Sequence, residues 1–231
     1  MIDTPGTIIV PFAALGLPAR TVTLTFDDGP AGDGAVTERL LAVLAARQVQ
    51  AGFCVRGSEV AHYPSIVQRL VGDGHLLVNH SFAHDLRLVM MGREAIGAEI
   101  DRGDAAIGQA LAIDHYRSRF FRPPGGMVTD HLLAAVRERD MRVLPISFFA
   151  YDHLVSPAVA PRLLEYLLAR IRRDDGGLLV LHDGMAPPIW MPHCIPSHFN
   201  CANRAWVPEV VNLLIERLRD DGFSVGIDGL S

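Results

Sequence analysis

Two carboxylates stand side by side in Thr25-Phe26-Asp27-Asp28-Gly29-Pro30, at the end of an apolar run, and further along Asn79-His80-Ser81-Phe82-Ala83-His84 sets two imidazoles four residues apart. One carboxylate of the pair and the two imidazoles, His80 and His84, make a three-ligand set for a borderline metal such as zinc. The other carboxylate is then free to act as a base. Three protein ligands with an open position characterise catalytic metal sites, whereas structural sites are closed by four. The implied chemistry is metal-assisted hydrolysis.

Each motif also has a plainer reading. Adjacent side chains leaving a strand point to opposite sides, so one acid can face a metal and the other a water; Asp-Gly-Pro is equally common turn chemistry. His80 and His84, at i and i+4 on a helical turn, share a face and reach one ion; otherwise they are ordinary surface or core histidines. Arg122 precedes Pro123-Pro124-Gly125-Gly126. A rigid turn there fixes a guanidinium suited to a bidentate grip on a carboxylate, though alone it reads as a surface arginine. His182 follows the apolar run at 178–181 and is a candidate general acid, with a reference pKa of about 6.5. Asp152 is placed to polarise it. The alternative is a histidine that merely caps a strand.

The elements that must position these groups follow from periodicity. Strand-like runs occur at 21–26, 51–55, 75–78, 119–122, 142–149, 178–181 and 223–227. Between them apolar residues recur at helical spacing: Val36, Leu40, Val43 and Leu44; Ile66, Val67, Leu70 and Val71; Ile96, Ile100, Ile107 and Leu111; Leu132, Leu133 and Val136; Leu163 to Ile171; and Val210 to Leu218. Asp33 and Thr129 are candidate N-caps, and Pro64 suits a first helical position. Strands separated by helices imply βα units and a mostly parallel sheet. About seven such units suggest a barrel more than an open sheet, and every polar motif falls just after a strand, at the rim where barrel active sites collect. Residues 184–204, with four prolines, read as a long loop over that rim.

Composition bounds the rest. The chain has 231 residues, 49% hydrophobic and 20% charged, which suits a single globular domain spanning 1–231. A net charge of −5 gives no basic field for nucleic acid or an anionic membrane. All 21 basic residues are arginine, which reads as high-GC coding because no function requires it. Cys54, Cys194 and Cys201 do not make a disulfide framework, and Cys54 in Gly52-Phe53-Cys54-Val55 reads as a small buried hydrophobe. No apolar stretch approaches the roughly 20 residues of a membrane span. The N-terminus, with Asp3 and interrupting Pro5, Gly6, Pro11 and Gly16, does not read as a signal peptide, so a cytoplasmic location is expected. Oligomeric state is left open.

In this order the motifs resemble those of the polysaccharide deacetylase family, the NodB-homology group or carbohydrate esterase family four, and the chitooligosaccharide deacetylases most in size and layout. Residues 25–30 match its TFDDGP motif and residues 80–84 its H-[ST]-x-x-H motif in full. The resemblance implies a distorted (β/α)7 barrel of the α/β class and one divalent metal, zinc in the first place, with cobalt or manganese as alternatives. It implies Asp28, His80 and His84 as ligands, Asp27 as the base, Arg122 as its holder, His182 as the acid that protonates the leaving amine, and Asp152 as the group that tunes it. A backbone N–H at Gly125 would help hold the oxyanion, and Val180 would border the acetyl methyl.

The chain departs from the family pattern in the last three motifs: Gly125 stands where an aromatic residue is usual, Phe149 where tryptophan is, with the second acid of that motif missing, and Val180 where leucine is. The loop after His182 carries His193, Cys194, His198 and Cys201, whose spacing is irregular for a second metal site and which allow a Cys194–Cys201 disulfide in an oxidising compartment. The preferred reading is a lid whose Trp190 stacks on a sugar. The expected activity is removal of N-acetyl groups from N-acetylated amino-sugar oligo- or polysaccharides of chitin or peptidoglycan type. The alternatives are an O-acetyl sugar esterase of acetyl xylan type, a cyclic-amide hydrolase on a related barrel, and a carbohydrate-binding module with a weakened site.

Overall fold

The computed structural model describes residues 2–30, 34–184 and 204–230. Eight short strands form one parallel sheet: β1 (Thr21–Asp27), β2 (Gly52–Val55), β3 (Leu76–Asn79), β4 (Phe120–Phe121), β5 (Arg142–Val143), β6 (Phe148–Phe149), β7 (Gly176–His182) and β8 (Ser224–Val225). The lateral order is β5-β4-β3-β2-β1-β7-β6, with β8 paired to the start of β1. Six main helices alternate with them: α1 (Ala35–Arg47), α2 (Pro64–Gly72), α3 (Arg93–Leu111), α4 (Asp130–Arg137), α5 (Ala160–Asp174) and α6 (Val207–Asp220).

The strand period of two sorts β1 cleanly. Val22, Leu24 and Phe26 pack outward among the apolar faces of α1, α5 and α6, and β7 contributes Leu179 and Leu181 to the same cluster. The opposite face of these strands carries Thr23, Thr25 and Asp27 from β1 and Leu178, Val180 and His182 from β7. Leu178 and Val180 there join Cys54 and Val78 in a second cluster that continues through Phe120, Phe121 and Val143 to α3 and α4. β1 and β7 run side by side over seven residue pairs, from Thr21–Gly176 to Asp27–His182. This is the longest ladder in the sheet, and it delivers Asp27 and His182 laterally adjacent at the C-terminal end.

The sheet curls as the barrel reading requires, but its seam is irregular. The expected strand at 142–149 is two short pieces. Its first part pairs with β4 and its second with β7, so the two edges of the sheet belong to one continuous stretch of chain. Pro145 has no N–H to give a ladder. Beside it Ile146 exchanges hydrogen bonds with Ile8 and Val10 of the N-terminal segment. The apolar N-terminal residues, interrupted by Pro and Gly, thus have a structural use that periodicity did not show. Gly6–Thr7 also pairs antiparallel with Met127–Val128.

The local signals mostly hold. Thr129 caps α4 by accepting from the Leu132 N–H, and Pro64 opens α2. Asp33 lies outside the described residues, as does most of the 184–204 loop with Trp190, His193, Cys194, His198 and Cys201. Cys54 is fully buried. Among the described residues no helix is long and apolar enough to cross a membrane.

One buried polar network ties the rim to the helix layer. Asn79, the last residue of β3, donates from Nδ2 to the Ile100 carbonyl at 2.9 Å and to Asp104 Oδ1 at 2.8 Å. Its Oδ1 accepts the Ser81 N–H at 2.9 Å. Ser118 completes the shell of Asp104 through its hydroxyl at 2.7 Å. Asn79→Ala strips a partner from a buried carboxylate and from two backbone groups, so it should cost about 2–3 kcal/mol. For a chain of this size that is a fall of about 4–12 °C in melting temperature, read by thermal denaturation.

Candidate active site

At the C-terminal end of β1 the backbone separates the two acids. Asp27 ends the strand and faces the interior. Asp28 takes a left-handed conformation, φ 75°, which swings its carboxyl away from its neighbour's. Gly29 follows at a point where a Cβ would overlap the Asp183 carboxyl, so only glycine fits.

Arg122 is the organiser on the base side. It is 0% exposed and directs every part of its guanidinium to an acceptor. Nη1 donates to Asp27 Oδ1 and Oδ2 at 3.1 and 3.2 Å, Nε to the Leu144 carbonyl at 3.1 Å, and Nη2 to the Pro145 carbonyl and Thr25 Oγ1 at 3.3 Å each. The bidentate grip expected of Arg122 on a carboxylate is made through a single guanidinium nitrogen. Cys54 lies close enough that burial, reinforced by the Asp27 carboxylate, pushes its thiol well above the usual range despite the Arg122 charge.

The three expected metal ligands converge. Asp28, His80 and His84 each offer a ligand atom, and these lie within 4.8 Å of one another. Asp28 Oδ1 is 3.5 Å from His80 Nε2 and 3.2 Å from His84 Nε2. The pair is not on a helical turn, as i, i+4 spacing suggested. It lies on a loop after β3, and left-handed φ values of 62° at Ser81 and 56° at His84 fold the second imidazole back toward the first. The two rings are 4.8 Å apart. His80 Nδ1 lies 2.7 Å from the Arg122 carbonyl. A carbonyl only accepts, so Nδ1 carries a hydrogen and Nε2 is the ring atom that faces Asp28. That is the outer-shell arrangement that orients a metal-ligating histidine.

Electrostatics favour the ligand forms. Burial alone would raise the Asp28 carboxyl. The His80 hydrogen bond and the charge on His182 outweigh it and hold Asp28 well below the usual carboxylate range. Burial, with the His80 and Arg56 charges, lowers His84 to about 4 against the pull of Asp28, so its imidazole is neutral at pH 7. His84 Nδ1 is buried without a hydrogen-bond partner among the described residues. A compact carboxylate and two imidazoles, His84 held neutral, fit one divalent cation.

Across β1 and β7 lies the acid side. His182 Nδ1 is 2.8 Å from Asp152 Oδ1, and the His182 N–H donates to Asp152 Oδ2, also at 2.8 Å. Burial would lower the imidazole, but the Asp152 charge and hydrogen bond win, raising His182 to about 9. In return His182, together with Arg204, draws Asp152 down to about 2 against its burial. Asp152, read from the sequence at some distance from any complete motif, is therefore bonded directly to the residue it was expected to tune.

Arg204 was missed. It ion-pairs with Asp152 Oδ2 and donates to the carbonyls of Asp152 and His182, at 2.7 and 3.0 Å. It stands beyond the proline-rich loop, where no local pattern marks it. Asp183 was also missed. It accepts from Thr37 Oγ1 at 2.7 Å, and burial with the Asp28 and Asp27 charges raises it to about 6. Gly125 is exposed in a left-handed turn, φ 69°, on the rim, and Val180 is buried on the interior face of β7 two residues before His182. Trp190 lies outside the described residues.

The profile of the family described as "Polysaccharide deacetylase" matches residues 15–144, more than half of the chain. The chain belongs to the polysaccharide deacetylase family. Asp27, Asp28, His80, His84 and Arg122 fall within the matched residues; Asp152 and His182 lie beyond them. A chitooligosaccharide deacetylase of Rhizobium leguminosarum bv. trifolii is 32% identical over 77% of this chain and 78% of its own. Another, of a Bradyrhizobium strain, is 31% identical over 89% and 88%. Among solved structures, a family 4 carbohydrate esterase from Streptomyces lividans superposes with a TM-score of 0.68 at 23% identity, covering 94% of this chain and 96% of that one, a likeness of fold. Membership of the polysaccharide deacetylase family accords with a divalent metal at the Asp28, His80 and His84 group.

The Arg122–Asp27 pair is buried, where losing one partner costs more than the pair itself contributes. Arg122→Met should destabilise the protein by about 3–5 kcal/mol, and adding Asp27→Asn should recover part of that loss. Urea unfolding of both variants checks it; equal losses would show that the stranded carboxylate is not the cause.

Proposed function

We propose that this chain is a metal-dependent hydrolase that removes N-acetyl groups from N-acetylglucosamine-containing oligo- or polysaccharides and releases acetate. One observation carries the proposal. Asp27, held by Arg122, and His182, held by Asp152, end adjacent strands, and Asp27 lies 3.8 Å from His80 of a three-ligand group. The naming of the relatives as chitooligosaccharide deacetylases supports the substrate class.

Asp28, His80 and His84 would hold the cation, zinc by preference for this mixed donor set, though cobalt and manganese accept the same atoms. Bound there, a divalent cation supplies a Lewis acid and a more acidic water. Asp27, fixed by Arg122, takes the proton from the attacking water. The backbone N–H of Gly125 is assigned to the developing oxyanion, and Val180 to the border of the acetyl methyl. His182, protonated on both ring nitrogens below about pH 9, gives its Nε2 proton to the leaving amine. An amine leaves poorly without that proton, whereas an O-acetyl ester needs less help, so the charged His182–Asp152 pair is the reason to place the amide first.

Metal-stripped protein should release no acetate from N-acetylchitooligosaccharides. Zinc or cobalt should restore release in the wild type and leave Asp27→Ala inactive. No release from correctly metallated wild type would sink the proposal. His182→Ala should abolish amide turnover yet spare an aryl acetate.

The pH dependence carries its own sign. His182 acts while protonated, so kcat/KM on the amide should fall as pH rises through about 9. Asp152→Asn removes the charge that raises His182, and the alkaline limb should move to lower pH. A pH–rate profile with an unmoved limb would separate Asp152 from that role.

A further inference from the structure

Four rings form a strip leading away from the acid. His153 lies edge-on to His182 with centroids 5.2 Å apart, Tyr151 is 6.4 Å from His153, and Phe149 is 5.8 Å from Tyr151. At its far end Phe149 covers the motif turn at Gly126, where a Cβ would come within 3.1 Å of its ring. Beside it, Gly125 leaves the rim without the aromatic side chain usual there.

Tyr151 is the anomaly in the strip. Its backbone is left-handed, φ 56° and ψ 21°, a conformation that glycine adopts freely and a bulky residue does not. Its side chain is 55% exposed, so core packing does not explain a tyrosine here. A bulky residue in this backbone conformation, its ring in solvent one ring removed from a candidate acid, offers that ring to a ligand.

The chemistry of the proposed reaction says which ligand. The nitrogen that receives the His182 proton remains bonded to the sugar, so the sugar ring lies immediately outward of His182. Along the strip the rings pass from partly buried His182 and His153 to exposed Tyr151. A pyranose presents an apolar face of polarised C–H groups, which suits the negative face of an aromatic ring, and tyrosine offers that face with few rotamers to lose.

We propose that Tyr151 is a saccharide-stacking residue that binds a pyranose of the oligosaccharide next to the reacting one, supplying from the turn after β6 the wall absent at Gly125. The assignment rests on the proposed amino-sugar substrate. Its role is to bind, so it acts on affinity for longer substrates more than on the chemical step.

The test is calorimetric titration of N-acetylchitotetraose into the zinc-loaded protein, in an Asp27→Asn background so that nothing turns over. Tyr151→Gly relieves the backbone and removes the ring, so it should keep or raise the melting temperature while weakening binding about tenfold. Tyr151→Asn, also tolerant of the left-handed region, is the second ring-less variant, and Tyr151→Phe should bind like the parent. Equal affinity in the parent and the two ring-less variants overturns the assignment, as does a parent that does not bind. Acetate release by protein with Asp27 intact separates the two ideas. Tyr151-dependent binding without release overturns the deacetylase reading and keeps the platform. Release with Tyr151-independent binding does the reverse.

Discussion

The structure turns on a guanidinium taken wholly out of water. Burying a cation is costly unless its donors are satisfied and a counter-charge is close, and Arg122 meets that demand from three sources. Asp27 supplies the charge. Thr25 supplies a hydroxyl from the same strand, and the carbonyls of Leu144 and Pro145 come from the interrupted strand at the barrel seam. Its own carbonyl anchors His80 Nδ1. One residue therefore joins the seam of the sheet, the carboxylate assigned as base and the orientation of an imidazole in the ligand group. The proline that interrupts the strand is part of this: a regular ladder would engage those backbone groups with a neighbouring strand.

The two halves of the site solve opposite electrostatic problems with the same residue types. Beside Asp28, burial wins over the carboxylate's pull and drives His84 neutral. Around Asp152 a carboxylate set against an imidazole overrides burial and keeps His182 charged. Arg204 makes the second arrangement tenable. A carboxylate buried at that depth has more acceptor capacity than one histidine can fill, and the arginine takes the remainder. The proposed separation of one imidazole as ligand and another as acid rests on which carboxylate each ring meets and how deeply, not on the histidines themselves.

Much of this was legible in the sequence because strand period and motif position agree. The alternation through Thr23, Thr25 and Asp27, and through Leu178, Val180 and His182, places the acids and the histidine on the interior face at strand ends, and the βα order supplies the curled sheet. What escaped was set by non-local backbone chemistry. The run at 142–149 has enough apolar residues to read as one strand, and Pro145 decides otherwise. The i, i+4 spacing of His80 and His84 imitates a helical face, although Ser81 and His84 fold the loop through left-handed conformations. Arg204 reaches Asp152 across 52 residues, a distance at which no local pattern operates. The N-terminal segment looked irregular because its partner, Ile146, lies at the seam.

The long ladder between β1 and β7 has a consequence for tolerance. Asp27 and His182 face each other as its last register pair, so their separation is a backbone quantity, the spacing of neighbouring strands at about 4.8 Å. Loops around the rim are free to diverge, lengthen or exchange without altering the gauge between the proposed proton acceptor and proton donor. On the proposed reading, what such drift changes is which saccharide is presented, while the span a proton must effectively cross stays fixed by the hydrogen bonds of the sheet.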